Sequence, residues 1–409
     1  MIASRTPVVV TGRGAICALG DHPGRIFDSL CEGRRPFAAP TLFAADAAPG
    51  VEVAEVRDFS ADAYVRGGNV RPLDRTGRLA LVGVELALAD SGWTPELRAA
   101  RPVGLVLGTM FCSVRTIGEF DRRALQAGPG YVSPMDFSNT VLNAAAGQVA
   151  IWQKLRGVNS TIAAGAASGL HAIGYGSQLI QRGRADALAA GGAEEICYES
   201  CYGFLRAGRL APPNGQPAAR VAPFDAHRRG TLMGEGAAFL VLESEESARA
   251  RQAAVLARVL GFGSSYDPDA RASSSGDPGA VAAAIRRALA DAGVAPERIG
   301  LVVSSASGSP DLDAREAAGI AAVLGGSVPV TAIKSMTGEA LGASGALQVL
   351  TAIEALRSGM LPGVAGLSER DPAIDLNVTA KTRPVRATHA LVTSAAVEGN
   401  CCAAILSVA

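Results

Sequence analysis

Ser160-Thr-Ile-Ala-Ala-Gly-Ala166-Ala-Ser168-Gly169, with the residues that follow it, decides the fold. Thr161 and Ile162 are β-branched and suit a strand. A turn of small residues comes next, and Ser168–Gln181 then reads as a helix. Ala187–Gly191 is a short apolar run and reads as another strand. Strand, turn, helix and strand in that order make one α/β unit, whose helix covers the sheet. Ser168 at the helix entrance has two readings. It is either the hydroxyl of a nucleophile elbow or an N-cap. The G-x-S-x-G spacing of an elbow is absent, so the cap is the plainer reading.

The same alternation runs outward from this unit. Pro7–Thr11 reads as a buried strand, Thr76–Ser91 as a helix ended by Gly92, and Val103–Gly108 as a strand. Asn139–Lys154 reads as a helix and Ala237–Glu243 as a strand. An α/β architecture is therefore predicted throughout. The pattern also repeats. Ala87-Leu-Ala-Asp-Ser-Gly92 precedes the strand at Gly104–Gly108, and Ala288-Leu-Ala-Asp-Ala-Gly293 precedes the one at Gly300–Ser304. The strand–turn–helix at Ser160–Gln181 is echoed at Val328–Ala355. These matches predict two similar halves, residues 1–250 and 251–409. They would meet near the charged stretch Glu243–Arg251, which reads as surface.

Lysine plus arginine and aspartate plus glutamate number 38 each, so the net charge is zero. That removes the electrostatic case for nucleic-acid binding. No apolar run approaches the roughly 18 residues of a membrane helix, and the N-terminal apolar stretch is too short for a secretory signal. No membrane partner is expected, and a cytoplasmic location is. Seven scattered cysteines give no disulfide framework. Cys197 and Cys201 could share a helix face, but His22, His171, His227 and His389 supply no matching ligand spacing, so no metal site is expected. Gly12-Arg-Gly14 lacks the third glycine of a dinucleotide fingerprint, because Cys17 stands there. It reads as a tight turn, and no cofactor is implied.

Pro223-Phe-Asp225 through Gly234-Glu235-Gly236 is dense in glycine and reads as a loop where backbone packs on backbone, with His227 exposed. Lys334 and Glu339 lie between a strand and a helix. They suit either a buried ion pair or an acid/base couple, and spacing does not choose.

Together these segments resemble the β-ketoacyl synthases of fatty-acid and polyketide assembly, over nearly the whole chain. Val8–Ala15 resembles the family's opening strand, Asn143–Ala150 the helix before the active site, and Ala185–Glu194 the strand after it. Pro223–Glu243 is similar to its PFD…GEG…VLE stretch. The resemblance implies a thiolase-like five-layered αβαβα fold of two similar halves, and dimers. It also implies a chemistry that needs one cysteine and two histidines. The thiolate carries the acyl chain. The histidines stabilise the enolate left by decarboxylation, as an oxyanion hole would.

The matching positions here hold other residues. Thr161–Gly169 resembles the run that carries the cysteine, and Ala166 stands in its place. Ser305–Glu316 resembles the run of the first histidine, with Ser305 at that position. Lys334–Gly345 resembles the last run, with Lys334 kept and Glu339 at the second histidine. Thr393–Gly399 replaces the family's glycine/phenylalanine gating loop. A methyl group forms no thioester, and losing a covalent nucleophile costs about 10⁶-fold in rate.

The expected function is therefore a non-catalytic, chain-length-factor-like subunit. It would pair with an active ketosynthase, meet acyl carrier protein, and shape the tunnel for the growing acyl chain. The departure from the glutamine usual at position 166 in aromatic-polyketide factors points toward polyene-making systems. The family's dimer contact implies that Met110, Phe111, Cys112, Met135 and Phe137 lie near the interface and the tunnel floor. Otherwise they are ordinary core. Two alternatives stand beside this reading. One is an enzyme using Glu339, Lys334 or Ser168 for decarboxylation, hydrolysis or dehydration. The other is a homodimer that only binds carrier or acyl chains.

Overall fold

The computed structural model describes residues 5–44, 50–65, 67, 69–212, 221–270 and 278–408. Eleven strands form its main sheet. They are β1 (Val8–Cys17), β2 (Gly104–Gly108), β3 (Asn159–Ile162), β4 (Ala187–Glu194), β5 (Gly236–Ser244), β6 (Ala257–Tyr266), β7 (Leu301–Ser304), β8 (Pro329–Ala332), β9 (Asn377–Val378), β10 (His389–Ala395) and β11 (Asn400–Ser407). Across the sheet the order is β9-β8-β7-β10-β11-β6-β1-β5-β4-β2-β3.

The order is palindromic about the β6–β1 pair, apart from the short edge strand β9. In each half the third strand pairs with the second, the second with the fourth, the fourth with the fifth and the fifth with the first. The first two of those contacts are parallel and the last two antiparallel, in both halves. Val8–Val10 pairs antiparallel with Ala257–Val259 and joins the halves.

Six helices complete the layers: α1 (Arg75–Asp90), α2 (Ala144–Trp152), α3 (Ser168–Gln181), α4 (Pro278–Ala292), α5 (Pro310–Leu324) and α6 (Ser344–Ser358). The helices α3 and α6 touch each other and both half-sheets, so they form the middle layer. Helices α1 and α2 cover the outer face of one half-sheet, and α4 and α5 that of the other. This is the thiolase-like αβαβα arrangement. The sequence echo between Ser160–Gln181 and Val328–Ala355 marks the two central helices with their preceding strands. Burial explains their composition: α6 hides nearly all of its length, from Ser344 to Leu356, so small and apolar side chains dominate it.

Three local expectations are corrected. Gly12 and Gly14 do not form a turn but lie inside β1, which runs on to Cys17. A Cβ on Gly14 would sit 2.3 Å from the backbone of α1, and one on Gly263 in β6 would sit equally close to α4. Each half thus opens on a strand whose glycines let an outer helix approach. The helix expected over Asn139–Lys154 starts only at Ala144. Before it, the Ser138 and Thr140 hydroxyls donate to the Met135 and Phe137 carbonyls, and Asn139 donates to the Pro72 carbonyl. Such local bonds compete with helix. Glu243, expected at the surface, is fully buried and paired with Arg251.

Candidate functional site

The turn between β3 and α3 is set by two residues. Gly165 has φ +61°, and a Cβ there would lie 2.3 Å from the Glu398 carboxylate. Ser168 is completely buried. Its hydroxyl donates to the Gly165 carbonyl at 2.6 Å and accepts from the Ala164 amide at 2.8 Å. Ser168 is thus the first residue of α3 and a tie within the turn, neither a helix N-cap nor a group open to a substrate. Ala166 is held between these two, at the positive end of α3.

The opposite wall comes from the second half. Ser305 follows β7, and its hydroxyl and amide both donate to Glu316 Oε1 at 2.9 Å. The Thr393 hydroxyl donates to the same oxygen at 2.6 Å, and the Ala395 amide donates to Ser305 Oγ at 2.9 Å. Ser305 is therefore a bridge from α5 to β10. The third wall is the Lys334–Glu339 segment. Gly338 has φ +70°, and the backbones of Gly234 and Glu339 bond at 3.0 Å. A Cβ on Gly234 would lie 2.1 Å from the Thr337 carbonyl, so backbone packs on backbone as the glycine density of this loop predicts. His227, in the same loop, is exposed.

Lys334 Nζ and Glu339 Oε2 are 2.6 Å apart, both buried. Glu339 Oε1 also accepts from the Leu341 amide at 3.0 Å and the Ser344 hydroxyl at 2.9 Å. Three donors hold that carboxylate, so the geometry is that of an ion pair embedded in a scaffold.

Ala166, Ser305, Lys334 and Glu339 line one cavity, with Phe204, Arg209, Thr231, Glu316 and the Ala395–Glu398 segment. Its volume is about 30 Å³, room for no more than a few waters. No cysteine and no histidine lines it. His171 packs edge-on against Phe262, and burial lowers its pKa. The thiols Cys197 and Cys201 are buried and pushed up to about 12 by desolvation. Among the described residues no cluster could hold a metal ion, and no helix is long and apolar enough to cross a membrane.

Met110, Phe111, Cys112, Met135 and Phe137 lie outside this cavity and separate into two groups. Cys112 is buried, and Met110 and Phe111 pack half-buried on the main core. Met135 and Phe137 are 69% and 60% exposed. The first three share an anchor that the sequence reading did not single out. Glu194, at the end of β4, accepts from the amides of Met110, Phe111, Cys112 and Gly342 and from the Thr109 hydroxyl. Burial pushes its carboxyl up to about 7, against the lowering by those donors. A glutamate directly after a buried strand was the available signal.

A five-layered thiolase-like fold, with one small cavity where its two halves meet, defines the class. Residues 5–248 match the β-ketoacyl synthase N-terminal domain and residues 256–368 its C-terminal domain, so the chain belongs to the β-ketoacyl synthase family. It is 31% identical over 374 residues to the 3-oxoacyl-[acyl-carrier-protein] synthase 2 of Coxiella burnetii, covering 90% of each chain. It is 33% identical over 406 residues to the tetracenomycin polyketide synthase ketoacyl synthase beta subunit of Streptomyces glaucescens, covering 97% of each. Among solved structures, the ishigamide ketosynthase/chain length factor superposes with a TM-score of 0.92 at 30% identity, over 99% of this chain and 100% of that one.

Proposed function

We propose that this chain is the non-catalytic, chain-length-factor-like subunit of a two-chain β-ketoacyl-carrier synthase. It pairs with an active ketosynthase and shapes the tunnel that receives the acyl chain delivered by acyl carrier protein. The observation that carries this reading is the site itself. A methyl group stands where acylation would occur, and neither a cysteine nor a histidine lines the small space around it. Acyl transfer needs a nucleophile and room for a thioester beside it.

Two further facts support the reading. The matched relatives include a ketoacyl synthase beta subunit and a ketosynthase/chain length factor. The segment 125–151 leaves Leu125, Tyr131, Met135, Phe137 and Ile151 more than half exposed. That much exposed apolar surface suits an interface. Met135 and Phe137 then belong to the contact with the partner, and Met110, Phe111 and Cys112 to the tunnel wall behind it. The engagement of Glu339 by Lys334, Leu341 and Ser344 counts against independent acid/base chemistry at this site.

The test is co-expression with the ketosynthase encoded next to it, followed by supply of acyl- and malonyl-carrier thioesters to each chain alone and to the pair. Co-purification, with chain extension only by the pair, is expected. A covalent acyl adduct on this chain alone, followed by extension, would sink the reading.

A further inference from the structure

Two turns, one from each half of the chain, meet at a single buried carboxylate. Glu194 Oε1 accepts from the Phe111 and Cys112 amides at 2.9 Å each and from the Thr109 hydroxyl at 3.0 Å. Glu194 Oε2 accepts from the Met110 amide at 2.6 Å and, across the boundary between the halves, from the Gly342 amide at 3.2 Å. Each turn holds a non-glycine residue in the left-handed region: Cys112 has φ +50° and Leu341 has φ +46°. Residues with a Cβ are strained there and stay only where their surroundings hold them. Glu194 takes the amide of Cys112 itself and that of the residue directly after Leu341.

Backbone packs tightly around this carboxylate. A Cβ on Gly192 would sit 2.0 Å from the Gly342 carbonyl oxygen, and one on Gly342 would sit 2.7 Å from Thr109 Cα. The Thr76 hydroxyl of α1 donates to the Cys112 carbonyl at 3.0 Å and holds the first turn from its other side. Beyond the second turn, the Leu341 amide donates to Glu339 Oε1, and Glu339 lines the candidate cavity. Bonded groups therefore run without a break from that cavity, through Leu341, Gly342 and Glu194, to Met110 and Phe111. A carboxamide does not replace the acid. Whichever way it is turned, its NH₂ faces at least two other donors.

We infer that Glu194 is a positioning residue for product length: it fixes the Met110–Cys112 turn against the cavity, so that the acyl tunnel closes at one depth. This rests on the reading of Met110 and Phe111 as tunnel wall. A strained turn tied by one carboxylate relaxes into several positions when the carboxylate is lost. A wall with several positions stops chains at several lengths. Phe111 supplies the bulk of the stop, and Glu194 supplies its place.

The test reads product lengths by mass spectrometry from the reconstituted pair, with a melting temperature for each variant. The variants are Glu194→Gln, Thr109→Val, Phe111→Ala and Glu243→Gln. Thr109→Val removes one donor to Glu194 and the hydroxyl that also accepts from the Cys112 amide at 2.9 Å. It is the milder change, and it alone decides where Glu194→Gln fails to assemble. Glu243→Gln is the stability control, since it breaks a buried pair with Arg251. Glu243 lies opposite Ala187 and Glu194 opposite Gly236, at the two ends of the β4–β5 ladder, about 23 Å apart. Glu194→Gln should raise the ratio of off-length to main product about tenfold or more, the weight of one hydrogen bond to a charged group. Thr109→Val should raise it less, and Glu243→Gln should lower the melting temperature with the ratio unchanged. If Glu194→Gln and Thr109→Val keep the wild-type ratio while Phe111→Ala changes it, the positioning role is wrong and the tunnel reading stands. If Glu243→Gln spreads the products as much at an equal loss of melting temperature, the spread is general loosening and the role is again wrong. If Phe111→Ala leaves the products unchanged, the tunnel-wall reading falls and the positioning role falls with it.

Discussion

Glu339→Ala separates scaffold from chemistry at the candidate site. The substitution removes the carboxylate bonded to Lys334 Nζ, in a pocket where Lys334 is 2% exposed. Breaking a buried ion pair from one side costs about 3–5 kcal/mol. The Leu341 amide and Ser344 hydroxyl also lose their acceptor, at about 1 kcal/mol or more each if left dry. With about 2.1 cal/mol/K per residue, a chain of 409 residues has an unfolding entropy near 0.9 kcal/mol/K. A loss of ~6 kcal/mol then lowers the melting temperature by roughly 7 °C. The double variant Lys334→Met/Glu339→Gln removes both charges and keeps an acceptor for Leu341 and Ser344. It should recover most of that loss, since replacing both partners is often neutral. Scanning calorimetry or fluorescence melts at a fixed scan rate measure both variants. A Glu339→Ala melt within 1 °C of wild type, or a double variant no better than the single, refutes the reasoning.

Three further outcomes are expected. Ala166→Cys leaves the isolated chain without measurable condensation, because no histidine lines the cavity to stabilise the enolate; carrier-based extension assays check it. Phe111→Ala in the reconstituted complex shifts the product distribution to longer chains, read by mass spectrometry, and an unchanged profile rejects Phe111 as a tunnel wall. Stability depends on pH through Glu194 and Asp313, both pushed up to about 7 by burial. The folded state holds these protons more tightly than the unfolded chain does. Their stabilising contribution is therefore full below about 4.5 and lost as pH rises through about 7, on the order of 3 kcal/mol for each. Unfolding midpoints should fall between about pH 4.5 and 7, and Glu194→Gln should flatten that slope.

Much of the fold was legible because its signals are local. Strand, turn and helix at Ser160–Gln181 come out with the helix bounds as read, and the echo at Val328–Ala355 marks the second central helix. The misreadings have two causes, packing against other segments and local side-chain bonds such as those of Ser138 and Thr140 that hold back a helix. Gly12 and Gly14 resemble a turn until α1 is seen lying on them. Glu243 looks exposed until Arg251, Ser247 and Thr11 are seen around it. At the site, Ala166 and Ser305 were nameable through resemblance alone, whereas Lys334 and Glu339 already read as an ion pair or an acid/base couple. No spacing in one sequence brings them to one cavity, and no pattern announces Glu316 or Thr393 as the groups that hold Ser305.

The bonding at these positions bears on how reversible the loss of chemistry is. A degenerate site that merely lacked side chains would leave space and unsatisfied polar atoms. Here Ser305 joins Glu316 to β10, and Glu339 joins Lys334 to the start of α6. The residues at these positions are tied into the scaffold of the second half. Placing histidine at 339 would strip Lys334 of its counter-charge, and placing it at 305 would push a larger ring against Glu316 and the Ala395 amide. Each single step back toward a catalytic triad therefore costs stability before it returns any rate. On the proposed reading condensation is supplied by another chain, and the exposed residues of segment 125–151, rather than the small cavity, are where that pairing should be measured.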